Sequence, residues 1–310
     1  MKVSLVIPVC DTLPSLLLRS LRSIGDQRQG LAGVSLQVVI VDDASIAGAT
    51  IDAVERGASY FPGCLVVRNS ARMGLAYSRA VGVVRSSGDY IFFLDSDDVL
   101  PPFAIQRLTH LALRTGADVI DGYVRRIEGN NARWQRSLNN ESLEEQLRKT
   151  LRAETSFMMP GSLYSSTVLA RSELRIPHRF PHEDMTTRVR ALLSATSYEQ
   201  VSACTYRYHI RKGSLSSFSG LRNLEGYLAA TVDWLATAEK KGLLEDYEMD
   251  ISVGARKLLR NIVKRINQEG VLKGEDRQLI AERLLNHSIP QRFFSVEELA
   301  ALSSAVLPND

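Results

Sequence analysis

Residues 88–98 have the sequence GDYIFFLDSDD. Its centre, Tyr90 to Leu94, is an apolar run of strand length, and three carboxylates follow within four residues, at Asp95, Asp97 and Asp98. A short apolar run bounded by polar residues is typical of a buried strand. Similar runs precede it at 3–9, 36–41 and 64–67, separated by helical spacing at about 14–27, 49–59 and 75–86.

The alternation of strands and helices predicts an α/β fold with a mainly parallel, Rossmann-like central sheet and helices on both faces. In such sheets ligands bind beyond the carboxyl ends of the strands. The residues in these positions are acidic: Asp11 follows the first run, Asp42 and Asp43 the second, and Asp95 to Asp98 the fourth. We therefore expect the functional site at this edge.

The middle of the chain is predicted to complete the first domain. Gly129 to Asn131 is typical of a hairpin turn between two strands, residues 141–152 and 183–195 have helical spacing, 198–208 a strand pattern, and 160–181 an irregular one. From 221 the pattern is helical, at 221–241, 244–267, 274–287 and 296–305. We predict a domain of residues 1–217 and a helical C-terminal region of residues 218–310.

Composition excludes several classes of protein. The 310 residues are 45% apolar and 24% charged, as expected of a globular chain. A net charge of +3, from 38 basic and 35 acidic residues, gives no indication of nucleic-acid binding. No apolar run approaches the roughly 20 residues that cross a bilayer, and the first residues resemble a strand rather than a signal peptide. We expect a cytoplasmic protein. The three cysteines lack CxxC spacing, which argues against a disulfide framework or a structural zinc site.

No GxGxxG or P-loop signature is present, which leaves the acidic loop as the candidate functional site. Asp95 and Asp97, one residue apart after a buried strand, are costly neighbours unless a cation neutralises them. Oxygen ligands favour Mg²⁺ or Mn²⁺. The alternative is a solvated turn, since Asp and Ser are common turn formers.

Several motifs in order resemble the family 2 glycosyltransferases of GT-A fold, of the type that makes bacterial polysaccharides. They are VIPVCD (6–11), VDDAS (41–45), Asn69 to Gly74 with AYSRAVG (76–82), and residues 88–98. The resemblance continues more weakly through Gly161-Ser162, RFPHED (179–184), YRYH (206–209), Ser214 and Ser216, and covers about residues 3–217. Two positions depart from the family pattern: Cys10-Asp11 replaces Tyr-Asn, and Ala80 stands where Asn commonly follows the arginine.

The resemblance implies a role for each matching residue. Asp43 would contact the uracil ring, Asp95 the ribose, and Asp97, through Mn²⁺ or Mg²⁺, the diphosphate. Asp184 would be the catalytic base. The donor-binding residues are then Pro8, Asp11, Asp43, Arg79, Asp95, Ser96, Asp97 and Arg211, and the metal ligands Asp97 and His209. Alternatives remain: a surface ion pair for Arg79, helix capping for Asp184, and a structural role for His209.

The expected activity is metal-dependent, inverting transfer of a sugar from a nucleoside diphosphate sugar, most simply a UDP-sugar, to a hydroxyl of a saccharide acceptor in cell-surface glycan synthesis. A noncatalytic nucleotide-sugar-binding scaffold is the main alternative. A sugar nucleotidyltransferase is a weaker one, because it should carry a glycine-rich basic loop after the first strand, where this chain has Pro8 to Pro14.

The segment 256–266 predicts a basic amphipathic helix, with Arg256, Lys257, Arg260, Lys264 and Arg265 opposite an apolar face. Such a helix can lie on an anionic leaflet and bring the enzyme to a lipid-linked acceptor. The alternative is a solvated face on a packed helix. The helical region also offers surface for a homodimer.

Overall fold

The structure is a computed structural model that describes residues 1–28, 31, 33–136, 139–172, 182–211, 221–266 and 297. The strands are β1 Lys2–Val9, β2 Ser35–Asp42, β3 Leu65–Arg68, β4 Tyr90–Phe93, β5 Val119–Glu128, β6 Asn131–Arg136, β7 Ser162–Ser165 and β8 Tyr198–Ile210. The helices are α1 Pro14–Gly25, α2 Gly48–Ala58, α3 Leu75–Arg85, α4 Ala104–Thr115, α5 Leu143–Leu151, α6 Ser166–Arg171, α7 Asp184–Ser194, α8 Leu221–Lys240 and α9 Leu244–Ile266.

The chain forms two compact units. The first comprises residues 1–144, 158–179 and 190–212, and the second comprises 145–157, 180–189 and 213–310. The second unit thus takes in two segments that precede the C-terminal region. The boundary predicted at residue 217 lies outside the described residues.

One mixed sheet organises the first unit, in the order β3-β2-β1-β4-β7-β5-β6, with β8 paired to β5. The β1–β2, β1–β4, β2–β3 and β5–β8 pairs are parallel. β1 has a neighbour on each side, and its residues from Val3 to Val9 are buried. A strand covered on both faces can be a continuous apolar run, which is how β1 was predicted. The predicted α/β architecture is confirmed.

The antiparallel part of the sheet differs from the prediction in one place. The turn at Gly129 does join two strands, β5 and β6. Residues 162–171, predicted to be irregular, instead form β7, inserted antiparallel between β4 and β5, and α6. Only Leu163 and Tyr164 of β7 are apolar, too few to produce a recognisable period, and both are fully buried. Ser165 then caps α6 by accepting from the Val168 N–H at 3.0 Å.

Two glycines place α3 on the sheet. Gly74 precedes the helix with φ of +95°, a left-handed conformation that favours glycine. Gly82 packs against β1, and a Cβ there would lie 2.2 Å from Cγ1 of Val6. This close approach fixes the position of Arg79, one helical turn earlier.

The second unit contains α5, α8 and α9. Asp250 of α9 is buried and pairs with two arginines of α5 and the turn after it, Arg148 at 2.6 Å and Arg152. Gly254 of α9 packs so closely that a Cβ would lie 1.8 Å from the Leu151 carbonyl oxygen. None of the helices in the described part of the chain is long and apolar enough to cross a membrane. The helices predicted at 274–287 and 296–305 fall outside the described residues, apart from residue 297.

Asp118, at the start of β5, joins three segments of the first unit. Its carboxylate accepts from the Thr196 N–H at 2.8 Å and the Ser165 hydroxyl at 2.9 Å, and it pairs with Arg171 at 2.8 Å. Burial alone would raise the pKa of Asp118, but the hydrogen bonds from Thr196 and Ser165 and the Arg171 charge together lower it below its usual value of 3.8.

Because the folded-state pKa is lowered, the stabilisation by ionised Asp118 is present above pH 4 and is lost as the pH falls through the lowered value. We expect Asp118→Asn to reduce the free energy of unfolding by about 1 to 2 kcal/mol at pH 7. Urea unfolding from pH 7 to pH 3 checks this, with Glu55→Gln on exposed α2 as control. A difference from wild type that stayed constant down to pH 3 would contradict the assignment.

Candidate functional site

The carboxyl ends of β1, β2 and β4 meet at one edge of the sheet, as predicted, and bring the acidic residues together. Pro8 lies buried on β1, opposite Val41 of β2. Asp42, at the end of β2, accepts from the Ser45 N–H at 3.1 Å and pairs with Arg68 of β3. Asp42 therefore holds the loop after β2 in place.

Asp43 organises the loop that enters α3. Its carboxylate accepts from the Asn69 side-chain amide at 2.7 Å and from the N–H groups of Met73 and Gly74, both at 2.8 Å. The residue is 5% exposed. A carboxylate has about four acceptor positions, so three internal bonds leave one for a ligand. The structure thus adds a scaffolding role to a residue for which contact with the nucleotide base stays a prediction.

Asp11 ties together three of the edge loops. It has φ of +45°, and its Oδ1 accepts from the N–H groups of Ile46 and Ala47, at 2.8 and 2.9 Å, at the start of α2. Its other oxygen pairs with Arg72, in the loop after β3. Helix N-termini favour negative charge. Arg72 was not among the residues predicted for the site, although it lies within the motif at 69–74.

Arg79 and Asp95 form a buried pair. Nη2 of Arg79 lies 2.7 Å from Oδ1 of Asp95, and the guanidinium lies 5.8 Å from the centre of the Phe93 ring. Arg79 is 6% exposed. Arg79 thus forms an ion pair that is largely buried on the arginine side, and its role in donor binding stays a prediction.

Asp97 is held by arginines from two directions. Arg211, beyond β8, donates to its Oδ2 from Nε at 3.1 Å and Nη2 at 2.6 Å, and Arg19 of α1 donates to its backbone oxygen at 2.8 Å. The neighbouring Ser96, predicted to bind the donor, is buried with its hydroxyl 2.7 Å from that of Thr12. Ser96 thus links the acidic loop to the loop after β1.

Asp98, which the sequence analysis assigned no role, joins the acidic loop to β8. It is 1% exposed and accepts from the Tyr206 hydroxyl and the His209 N–H, both at 2.7 Å. Burial, followed by the charges of Asp95 and Asp97, raises the pKa of Asp98 well above its usual value. The Tyr206 oxygen also accepts from the Asp95 N–H at 3.1 Å. In the sequence, this contact is indicated only by the third acidic residue in the run 95–98 and by the aromatic residues of the strand pattern at 198–208.

His209 lies beside this loop with its side chain partly exposed. Burial and the charge of Arg19 lower the pKa of His209, which favours the neutral imidazole that metals bind. The described residues contain no group of three or more His, Cys, Asp or Glu arranged for a metal ion. Mg²⁺ and Mn²⁺ often bind through one or two carboxylates together with substrate phosphates. The donor set of Asp97 and His209 fits a cation that binds together with a diphosphate.

Asp184 begins α7 and belongs to the second unit, whereas all the other predicted site residues belong to the first. It is half-buried and follows His182, which has φ of +77°. Its role as catalytic base stays a prediction. The motif residues Arg179 to Pro181, Ser214 and Ser216 lie outside the described residues.

Comparisons with known proteins agree with this fold. The family model described as Glycosyl transferase family 2 matches residues 4–169. The succinoglycan biosynthesis protein ExoO of Rhizobium meliloti is 27% identical over 225 residues, which cover 69% of this chain and 63% of the relative. EpsH of Bacillus subtilis is 24% identical over 228 residues, which cover 70% and 64%. This chain thus spans less than two thirds of the length of these two relatives.

Solved structures show the same architecture. The structure of S. aureus TarS 1-349 in complex with UDP-GlcNAc has a TM-score of 0.62 at 19% identity, covering 99% of this chain and 82% of that one. The mannosyltransferase PcManGT from Pyrobaculum calidifontis, in complex with GDP-Man and Mn²⁺, has a TM-score of 0.56 at 15% identity, covering 98% and 85%. The fold is therefore that of the GT-A glycosyltransferases. The chain belongs to glycosyltransferase family 2.

The scaffolding role of Asp43 can be tested by stability. Asp43→Asn places an amide donor among three hydrogen-bond donors and removes the charge they favour, so the free energy of unfolding should fall by about 1 to 3 kcal/mol. Urea unfolding of both proteins measures this. Asp52→Asn, on the exposed face of α2, is the matched control and should leave stability unchanged. Equal stability of wild type and Asp43→Asn would show that loop 69–74 does not depend on this carboxylate.

Proposed function

We propose that this chain transfers a sugar from a UDP-sugar to a hydroxyl of a saccharide acceptor in bacterial polysaccharide synthesis, with inversion at the anomeric carbon. The observation that carries the proposal is the set of carboxylates and arginines at the carboxyl edge of β1, β2 and β4, in a chain of family 2. The UDP-GlcNAc complex of TarS supports a uridine nucleotide. The name of ExoO supports polysaccharide synthesis.

In this proposal the chain's own residues divide the nucleotide between them. The remaining acceptor position of Asp43 takes a ring N–H of the base, and Asp95, oriented by Arg79, accepts from the ribose hydroxyls. Asp97 and His209 hold Mn²⁺ or Mg²⁺, which would supply positive charge next to the diphosphate.

Arg211 acts on the leaving group. Its Nε and Nη2 both donate to Asp97, and this fork matches a phosphate equally well. On donor binding, Arg211 exchanges the carboxylate for the diphosphate and stabilises the charge that develops there. The Asp97 carboxylate, no longer paired with Arg211, would then be available to hold the metal ion.

Asp184 is the proposed general base. As the acceptor oxygen bonds to the anomeric carbon and the bond from that carbon to the phosphate oxygen breaks, Asp184 takes the hydroxyl proton.

The alternative of a sugar nucleotidyltransferase is not favoured. Such an enzyme should have a glycine-rich phosphate loop after β1. In this chain the loop after β1 contains Asp11, whose carboxylate is bonded to the start of α2.

Two isosteric variants separate these roles. Asp97→Asn should lose Mn²⁺-dependent enhancement of UDP binding, since it removes the carboxylate charge next to the cation. Asp184→Asn should keep wild-type UDP affinity and lose at least about 100-fold in transfer, because general-base catalysis contributes roughly that much. Calorimetry with UDP and a panel of nucleotide sugars, with and without Mn²⁺, measures binding. Slow hydrolysis of the donor measures turnover. Asp52→Asn is the control.

Each arm of this experiment has an outcome that contradicts the proposal. Near-wild-type turnover of Asp184→Asn would remove Asp184 as the base. Binding of nucleotide sugars by wild type without any turnover would favour the noncatalytic scaffold, and binding of none would reject the donor site altogether.

We also propose that one face of α9 contacts the inner membrane surface, where a lipid-linked acceptor would be found. Lys257, Arg260 and Lys264 are exposed and lie on the same side as the apolar Met249, which is 72% exposed, and Val253, which is 37% exposed. The apolar face predicted opposite the basic residues is packed inside the unit, since Leu258, Leu259 and Ile262 are buried. The proposed contact therefore uses the exposed basic and apolar side chains of the other face, which suit the boundary of an anionic leaflet.

Vesicle sedimentation tests this contact. Lys257→Gln/Lys264→Gln should bind phosphatidylglycerol-containing vesicles roughly 30-fold more weakly than wild type, since each basic residue contributes about 1 kcal/mol near an anionic surface. The control Lys240→Gln/Lys241→Gln removes two exposed lysines of the same unit and should match wild type. Equal loss in both variants, or no binding of wild type at low salt, would reject α9 as the contact.

A further inference from the structure

The β5–β6 hairpin presents a tryptophan to solvent. Trp134 of β6 is 54% exposed, while the other tryptophan of the chain, Trp234, is fully buried. Tyr123 packs against the Trp134 ring at 5.5 Å between centroids with an interplanar angle of 66°, and the Arg125 guanidinium lies 5.8 Å from its centroid. The indole is therefore held in place by two neighbours while more than half of its surface stays accessible.

Two exposed arginines lie in a row beside this indole, Arg125 on the neighbouring strand β5 and Arg207 on the next strand, β8. Arg125 of β5 lies directly opposite Arg207 of β8 in the strand register, and both are exposed. Neither guanidinium has an acidic partner among the residues described. The two positive charges lie on adjacent strands, so an anion bound between them can accept hydrogen bonds from both guanidinium groups. On the other face of the sheet, by contrast, Arg126 pairs with Glu128 at 3.1 Å.

The strand pairing connects this surface to the acidic loop. Val99 pairs with Arg207, Arg207 with Arg125, and Arg125 with Trp134. Trp134 and Val99 are separated by three strand spacings, which place their backbones about 14 Å apart. Val99 follows Asp97 by two residues, so the tryptophan lies at about this distance from the acidic loop. Side chains two apart on a strand share a face, so Arg207 and His209 lie on the same side of the sheet. A short oligosaccharide spans this distance.

We infer that Trp134, Arg125 and Arg207 form a subsite for an anionic saccharide, the part of the acceptor that lies beyond the reacting sugar. The inference rests on the proposed function. It specifies that the acceptor is anionic and that part of it lies on the surface formed by these three residues. A sugar ring packs its C–H face on the indole, and a carboxylate or phosphate substituent accepts from the guanidinium groups. A neutral saccharide would leave the Arg125 and Arg207 charges uncompensated.

The test is calorimetric titration of the full chain at low salt with two probes of equal length, a tetrasaccharide of galacturonic acid and maltotetraose. We expect the acidic probe to bind at least about tenfold more tightly, because only its carboxylates can form charge-assisted hydrogen bonds with the two guanidinium groups. Arg125→Gln, Arg207→Gln and Trp134→Ala should each weaken its binding about tenfold. Arg133→Gln is the matched control: it is exposed on the same hairpin but, opposite Arg126, lies on the other face of the sheet.

The outcomes separate this inference from the function on which it rests. Equal affinity for the two probes, or equal loss in Arg133→Gln and Arg125→Gln, would overturn the subsite. UDP binding should be the same in all four variants and wild type. Absence of UDP binding in wild type, with the probe result intact, would reject the donor site and leave the saccharide surface standing. A dimer in sedimentation that Trp134→Ala dissociates would instead make this face a self-association surface and overturn the inference.

Discussion

Three carboxylates in one turn after β4 repel each other, and the arrangement around them follows from how each is neutralised. Asp95 is paired with Arg79 of α3, Asp97 with Arg211 beyond β8, and Asp98 with the hydroxyl and N–H donors of Tyr206 and His209. Buried charge is tolerated only when paired or hydrogen-bonded. The acidic turn therefore requires both α3 and the end of β8 to be in position.

The strength of these three interactions differs in a way that suits a binding site. Asp98 is fully enclosed and its bonds are structural, since they join β8 to the turn. The Asp97–Arg211 pair is partly exposed, and exposed ion pairs contribute little to stability. A pair of this kind can open for a cation and a diphosphate at small cost. Asp97 thus makes a contact that a ligand can replace, while the next residue, Asp98, makes contacts that hold the structure together.

The edge loops show a second level of organisation. Asp11 and Asp43 direct their carboxylates at backbone N–H groups of other loops, at the start of α2 and before α3. Together with the contacts of Asp11 to Arg72 and of Asp43 to Asn69, these bonds use most of the acceptor positions of both carboxylates. Residues that look like ligand contacts in a motif also hold the loops in place, so their substitution affects stability and binding together.

The strand–helix order, the acidic edge and the family could be predicted from the amino-acid sequence, because buried parallel strands are continuous apolar runs and the motifs lie within short segments. The sequence did not reveal β7, which has only two apolar residues, or the partners Arg72 and Tyr206, which are distant in the chain from the carboxylates they contact. Nor could it show that Arg125, Arg207 and Trp134 are neighbours, since strand register is a property of the assembled sheet. Local patterns encode helices and strands, whereas the contacts between them depend on strand pairing and side-chain packing in the folded chain.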